Sequence, residues 1–110
     1  MSVTRTFTVT VVSTGSGNKY FIDGVQTPTL ELVEGATFRF DQSDSSNATH
    51  PLRLATAADA AGGTQYTTNV TTNGTPGSSG ASTQIQVASG APTLYYYCTN
   101  HSGMGGQINT

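Results

Sequence analysis

Charged side chains are scarce in this 110-residue chain. Four Lys or Arg and six Asp or Glu make up 9% of the residues, for a net charge of −2, whereas about a quarter of an ordinary soluble domain is charged. Every charged residue stands at or before Asp59, so the remaining sequence has none. Proteins that bind nucleic acid through its phosphates need clustered basic residues. We therefore expect no nucleic-acid partner.

Cysteine and long apolar runs are equally scarce. The single cysteine, Cys98, excludes a disulfide within the chain. No run of 18 apolar residues is present, so no membrane span is expected. Residues 1–10 alternate apolar and polar side chains from the start, which predicts a strand rather than a signal peptide. A charge-poor, threonine-rich chain is typical of extracytoplasmic proteins, whether periplasmic, secreted or borne on the surface of a cell or particle.

Threonine and glycine are abundant instead, with 20 Thr and 13 Gly. Threonine favours strands together with Val, Ile, Tyr and Phe, and glycine favours turns. No segment repeats apolar residues at helical spacing for two full turns. Alternating segments predict seven or eight strands, at 3–11, 20–22, 29–33, 37–41, 52–55, 82–88, 93–98 and 107–110. Residues 56–80 hold mainly turn signals and are predicted to be irregular. The length and pattern predict one domain over 1–110, an all-β, antiparallel Greek-key β-sandwich.

Metal-binding side chains cluster near the C-terminal end of the sequence. Cys98, His101 and Met104 follow a predicted strand, with two residues between each pair and glycines around the methionine. Glycine lets the chain curl back, so these donors can converge on one ion. A thiolate, an imidazole and a thioether suit copper that cycles between two oxidation states, whereas zinc more often takes a second Cys or another His. His50, the only other histidine, stands on a polar loop and is the candidate for the fourth donor.

Each of these residues has a more ordinary explanation when it is taken alone. Cys98 could be a buried core thiol, His101 a turn residue and Met104 a side chain that fills a gap in the core. The chain has only one Cys, two His and two Met. Their joint spacing on a glycine turn therefore favours a metal site.

The sequence resembles the cupredoxin (blue copper) family over nearly its whole length. Residues 29–50, TLELVEGATFRFDQSDSSNATH, resemble the family's strand, acidic-Gly turn, aromatic strand and first histidine ligand. Residues 94–108, LYYYCTNHSGMGGQI, resemble its ligand strand with a short ligand loop. The resemblance implies one type 1 copper ion per chain, with three ligands in a trigonal plane and an axial methionine. In this sequence the implied planar ligands are His50, Cys98 and His101, and the implied axial ligand is Met104.

The resemblance also implies a function. A type 1 copper site transfers single electrons, and the sequence shows no acid–base pair beyond the ligands that would indicate an enzyme. The family's exposed histidine ligand corresponds to His101. A redox partner protein is therefore expected to dock near His101, on a patch that the local sequence predicts to be neutral.

Pro51 departs from the family pattern. Many small cupredoxins have Asn after the first histidine, and the backbone N–H of that Asn donates a hydrogen bond to the copper thiolate, but proline has no N–H. A His-Pro pair is similar to the multicopper oxidases, which carry further histidines directly after it. Here Leu52-Arg53-Leu54 follow, so a trinuclear centre is excluded. A binuclear centre is excluded too, because it needs a second Cys.

Two other functions stay open at this point. The Ser-, Thr- and Gly-rich composition resembles domains of phage and bacterial surface proteins, in which a sandwich serves as a fibre, decoration or adhesion unit. Its partners would be neighbouring subunits of a larger assembly, with copper incidental or stabilising. A copper store or chaperone is the other alternative, and it would expose its donors and exchange metal quickly.

Overall fold

Strands and turns make up almost the entire structure. A computed structural model describes residues 3–60 and 64–110, and two 3-10 helices, η1 (Ser45–Asn47) and η2 (Ala58–Ala60), interrupt the strands of these ranges. The strands are β1 (Arg5–Thr14), β2 (Gly17–Ile22), β3 (Val25–Gln26), β4 (Leu30–Glu31), β5 (Thr37–Asp41), β6 (Leu52–Ala55), β7 (Val70–Asn73), β8 (Ser82–Gln86), β9 (Leu94–Cys98) and β10 (Gly106–Asn109). The predicted all-β class is confirmed. Within the described ranges, no helix has the length and apolar character needed to cross a membrane.

The strands form two sheets, an arrangement consistent with a β-sandwich. One sheet has the order β3-β2-β1-β5-β8-β7, and the other has the order β4-β10-β9-β6. Most neighbouring strands are antiparallel, but β1 pairs with β5 and β10 pairs with β4 in parallel. The prediction of a purely antiparallel sandwich is therefore wrong in these two pairs. Alternation along a strand shows which face is buried, but it carries no information on the direction of the neighbouring strand.

Eight of the ten strands lie on predicted segments, and β5 and β6 have the predicted bounds. The other two, β3 and β7, carry no apolar alternation because their side chains are largely exposed. β3 has only two residues and follows a tight turn at Asp23 and Gly24, which both have positive φ. β7 lies at a sheet edge within the segment 56–80 that was predicted to be irregular. Residues 61–63 of that segment, and residues 1–2 of the alternating N-terminal segment 1–10, lie outside the described residues.

The hydrophobic core draws on both sheets and extends to the candidate metal ligands. The ring of Phe40 stacks on Phe7 at a centroid distance of 5.3 Å and meets Tyr96 of the other sheet at 6.3 Å. Cys98 and Met104 belong to the same buried cluster. These two candidate ligands therefore lie against the core instead of on a detached loop.

Candidate metal centre

Strand pairing brings the distant donor His50 next to Cys98. His50 lies just before β6, and Cys98 is the last residue of β9. These two strands pair antiparallel with Leu52 opposite Cys98. His50, two residues before Leu52, therefore lies beside Cys98 although 48 positions separate them in sequence. His101 and Met104 reach the same place on the short loop between β9 and β10.

The distances between the donor atoms fit a single metal ion. Cys98 Sγ lies 3.7 Å from His50 Nδ1 and 3.8 Å from His101 Nδ1, and the two imidazole centroids are 4.7 Å apart. A zinc-sized ion is bound by sulfur at about 2.3 Å and by imidazole nitrogen at about 2.0 Å, so two such donors at 120° lie about 3.7 Å apart. The observed separations match this value. His50, Cys98 and His101 could therefore hold a metal ion.

The donors differ sharply in their exposure. Met104 is 0% exposed, Cys98 4% and His50 8%, whereas His101 is exposed. Burial lowers the pKa of His50, and the adjacent His101 lowers it further. Both effects favour the neutral imidazole, which is the form that binds metals. The site is thus buried except at the His101 edge.

Two charged residues hold the turn between His101 and Met104. Lys19 Nζ donates a hydrogen bond to Gly103 O at 2.6 Å, and Gly103 N donates one to Asp59 Oδ2 at 3.0 Å. Asp59 also lines the same surface hollow as His101. The ligand loop has no charged residue of its own, as the local sequence indicated. The fold brings one cation and one anion to it from elsewhere in the chain, and their formal charges cancel.

Gly105 is required by a close approach of two backbone segments. A Cβ atom at this position would lie 1.7 Å from Tyr96 O and 2.6 Å from the Tyr96 carbonyl carbon. Turn flexibility was the reason that the sequence suggested for the glycines around Met104. The structure shows that Gly105 instead lets the ligand loop lie directly against β9.

The side chain of Asn100 links the two ligand-bearing segments. Its Nδ2 donates a hydrogen bond to Thr49 O at 2.9 Å. Thr49 has a φ of 68°, a conformation that is strained for a β-branched residue, so the bond helps to hold the turn that precedes His50. The sequence did not reveal this role, because the two residues are 51 positions apart and the contact depends on the β6–β9 pairing.

Comparison of the chain with models of known protein families finds no matching family, and comparison with curated proteins finds no match either. The geometry and chemistry of the four donors are therefore the basis for a functional conclusion.

Proposed function

We propose that this chain is a cupredoxin-type protein that binds one copper ion and transfers single electrons. His50, Cys98 and His101 would be the planar ligands and Met104 the axial ligand. The observation that carries the proposal is the arrangement of one sulfur and two imidazole nitrogens at separations of 3.7 and 3.8 Å. Two histidines and one cysteine with a weak axial methionine are the donor set of blue-copper electron-transfer sites.

The kinds of donor favour copper over zinc. Structural zinc sites are usually completed by four Cys or His ligands, and catalytic zinc sites keep a position open for water. Here the fourth candidate is the thioether of Met104, a soft and weak donor in a fully buried position. Such a donor suits copper in its reduced state better than it suits zinc.

The burial of the donors favours electron transfer over copper storage. A store or chaperone needs accessible donors, whereas His50, Cys98 and Met104 are buried here. When bound, copper would supply the one-electron chemistry. The chain's own residues keep water from the site and hold the ligands in place, while the exposed His101 offers an edge at which a redox partner protein could dock.

Addition of Cu(II) tests the proposal directly. We expect an intense visible absorption from thiolate-to-copper charge transfer that saturates at one copper per chain. Cys98→Ala should abolish the band, because it removes the only thiol of the chain. Colour that persists in Cys98→Ala, or a native protein that binds Cu(II) without this band, would contradict the proposal.

Substitution of Pro51 is expected to raise the reduction potential of the site. An N–H group directed at the copper thiolate withdraws electron density from sulfur and thereby favours Cu(I). Pro51 cannot supply this bond, whereas Pro51→Asn and Pro51→Ala both restore an N–H. Voltammetry should show a higher potential for both variants, and the alanine variant controls for the new amide side chain. An unchanged or lower potential, with the copper spectrum intact, would show that Pro51 only stiffens the entry to β6.

A further inference from the structure

The backbone carbonyl of His50 accepts two hydrogen bonds from buried side chains. Tyr20 Oη donates at 2.7 Å and Gln42 Nε2 at 2.8 Å. Tyr20 is 0% exposed and Gln42 1%. Both lone pairs of the carbonyl oxygen are therefore used, and the peptide that carries the long-range donor is held from two sides.

Gln42 also spans the segment around Pro51. Its Oε1 accepts a hydrogen bond from Leu52 N at 2.9 Å, while its Nε2 donates to His50 O. One side chain thus binds the residues on both sides of a proline that has no N–H of its own. Gln42 Nε2 contacts Asn47 Oδ1 at 3.1 Å, and Asn47 Nδ2 donates to Val9 O at 2.7 Å. These hydrogen bonds connect the His50 segment to Gln42, which directly follows β5, and to Val9 of β1.

Tyr20 contacts the segments that carry two of the donors. Its hydroxyl binds His50 O, and its backbone N donates to Met104 O at 2.9 Å. Tyr20 is therefore placed where the segments of two buried donors meet.

We propose that Tyr20 and Gln42 are positioning residues of the metal centre. They hold His50 at its distance from Cys98 before any metal binds, so that binding requires little further ordering of the chain. This inference rests on the proposed copper function. Residues that orient the ligands of a metal typically change its affinity by about 10- to 100-fold when they are mutated.

Two matched tyrosine variants test the role of Tyr20. Tyr20→Phe removes only a hydroxyl, and Tyr96→Phe removes an equivalent one, since Tyr96 Oη donates to Pro28 O, also at 2.7 Å. Both variants lose one bond from a buried tyrosine to a backbone carbonyl, so both should reduce the stability of the metal-free protein to a similar extent. Only Tyr20→Phe should weaken Cu(I) binding by about tenfold and change the visible and paramagnetic-resonance spectra of the Cu(II) form. Competition against a chelator of known affinity measures the first effect.

The possible outcomes separate this inference from the proposed function. If native protein and Tyr96→Phe bind copper with the thiolate band, and Tyr20→Phe has the same affinity and spectra as they do, the positioning role is wrong and the copper function stands. If the native protein shows no thiolate band, the copper function fails and the inference fails with it. If Tyr20→Phe does not fold, Gln42→Met replaces it in the same comparison. This variant loses the Nε2 donor to His50 O and the Oε1 acceptor for Leu52 N. Native-like copper affinity and spectra in that variant would equally overturn the inference.

Discussion

Copper at a thousandfold excess over its dissociation constant is expected to raise the free energy of unfolding by about 4 kcal/mol. The reason is that only the folded chain brings His50 to Cys98, since 48 positions separate them in sequence. A ligand that binds the folded state alone stabilises it by RT ln(1 + [L]/Kd), where [L] is the free ligand concentration and Kd is the dissociation constant. His50→Ala removes the only long-range donor, so most of this stabilisation should disappear in the variant.

Thermal or denaturant unfolding with and without copper measures this effect in the native protein and in His50→Ala. The two hydrogen bonds at His50 are made by its backbone carbonyl and remain possible when the side chain is alanine. The metal-free variant should therefore stay folded, and its lost response can be attributed to the imidazole. Equal copper-induced shifts in the two proteins would show that His50 is not a ligand.

Gly105→Ala is expected to lower the free energy of unfolding by about 3 kcal/mol or more. The added Cβ would lie 1.7 Å from Tyr96 O and 3.0 Å from Tyr97 Cα. These are backbone atoms, so no side-chain rotation can relieve the clash. Either the loop leaves β9 or β9 bends, and both changes displace the adjacent Met104. Copper binding should weaken together with stability.

Gly15→Ala is the matched control for this substitution. A Cβ at Gly15 would meet no atom within 4 Å, and the variant should stay within about 0.5 kcal/mol of the native protein, as surface substitutions usually do. Urea denaturation of the two alanine variants compares them directly. Coinciding midpoints would rule out the tight contact between the ligand loop and β9.

The strands with clear alternation could be predicted from the sequence alone. In β5, Phe38 and Phe40 are buried, and Arg39, which stands between them in sequence, is exposed. Apolar periodicity was therefore sufficient to locate the strand. The proximity of Cys98, His101 and Met104 could also be predicted from the sequence, because a short glycine-containing loop keeps neighbouring donors close. These features depend on local chain geometry.

Other features could not be predicted because they arise from contacts between distant segments. β7 has mostly exposed side chains and is defined by its pairing with β8. The contacts of Lys19 and Asp59 with Gly103 join positions that are 84 and 44 residues apart. No local pattern marks such partners, since their proximity follows from the order and register of the strands.

The sequence by itself determined the types of donor, their spacing in the C-terminal loop and the buried face of each regular strand. Only the tertiary structure decided that His50 lies beside Cys98 and that Tyr20 and Gln42 hold its carbonyl. The physical reason is that side-chain periodicity and loop length are local properties of the chain. The position of His50 depends on the register between β6 and β9, and that register is selected by packing of the whole core.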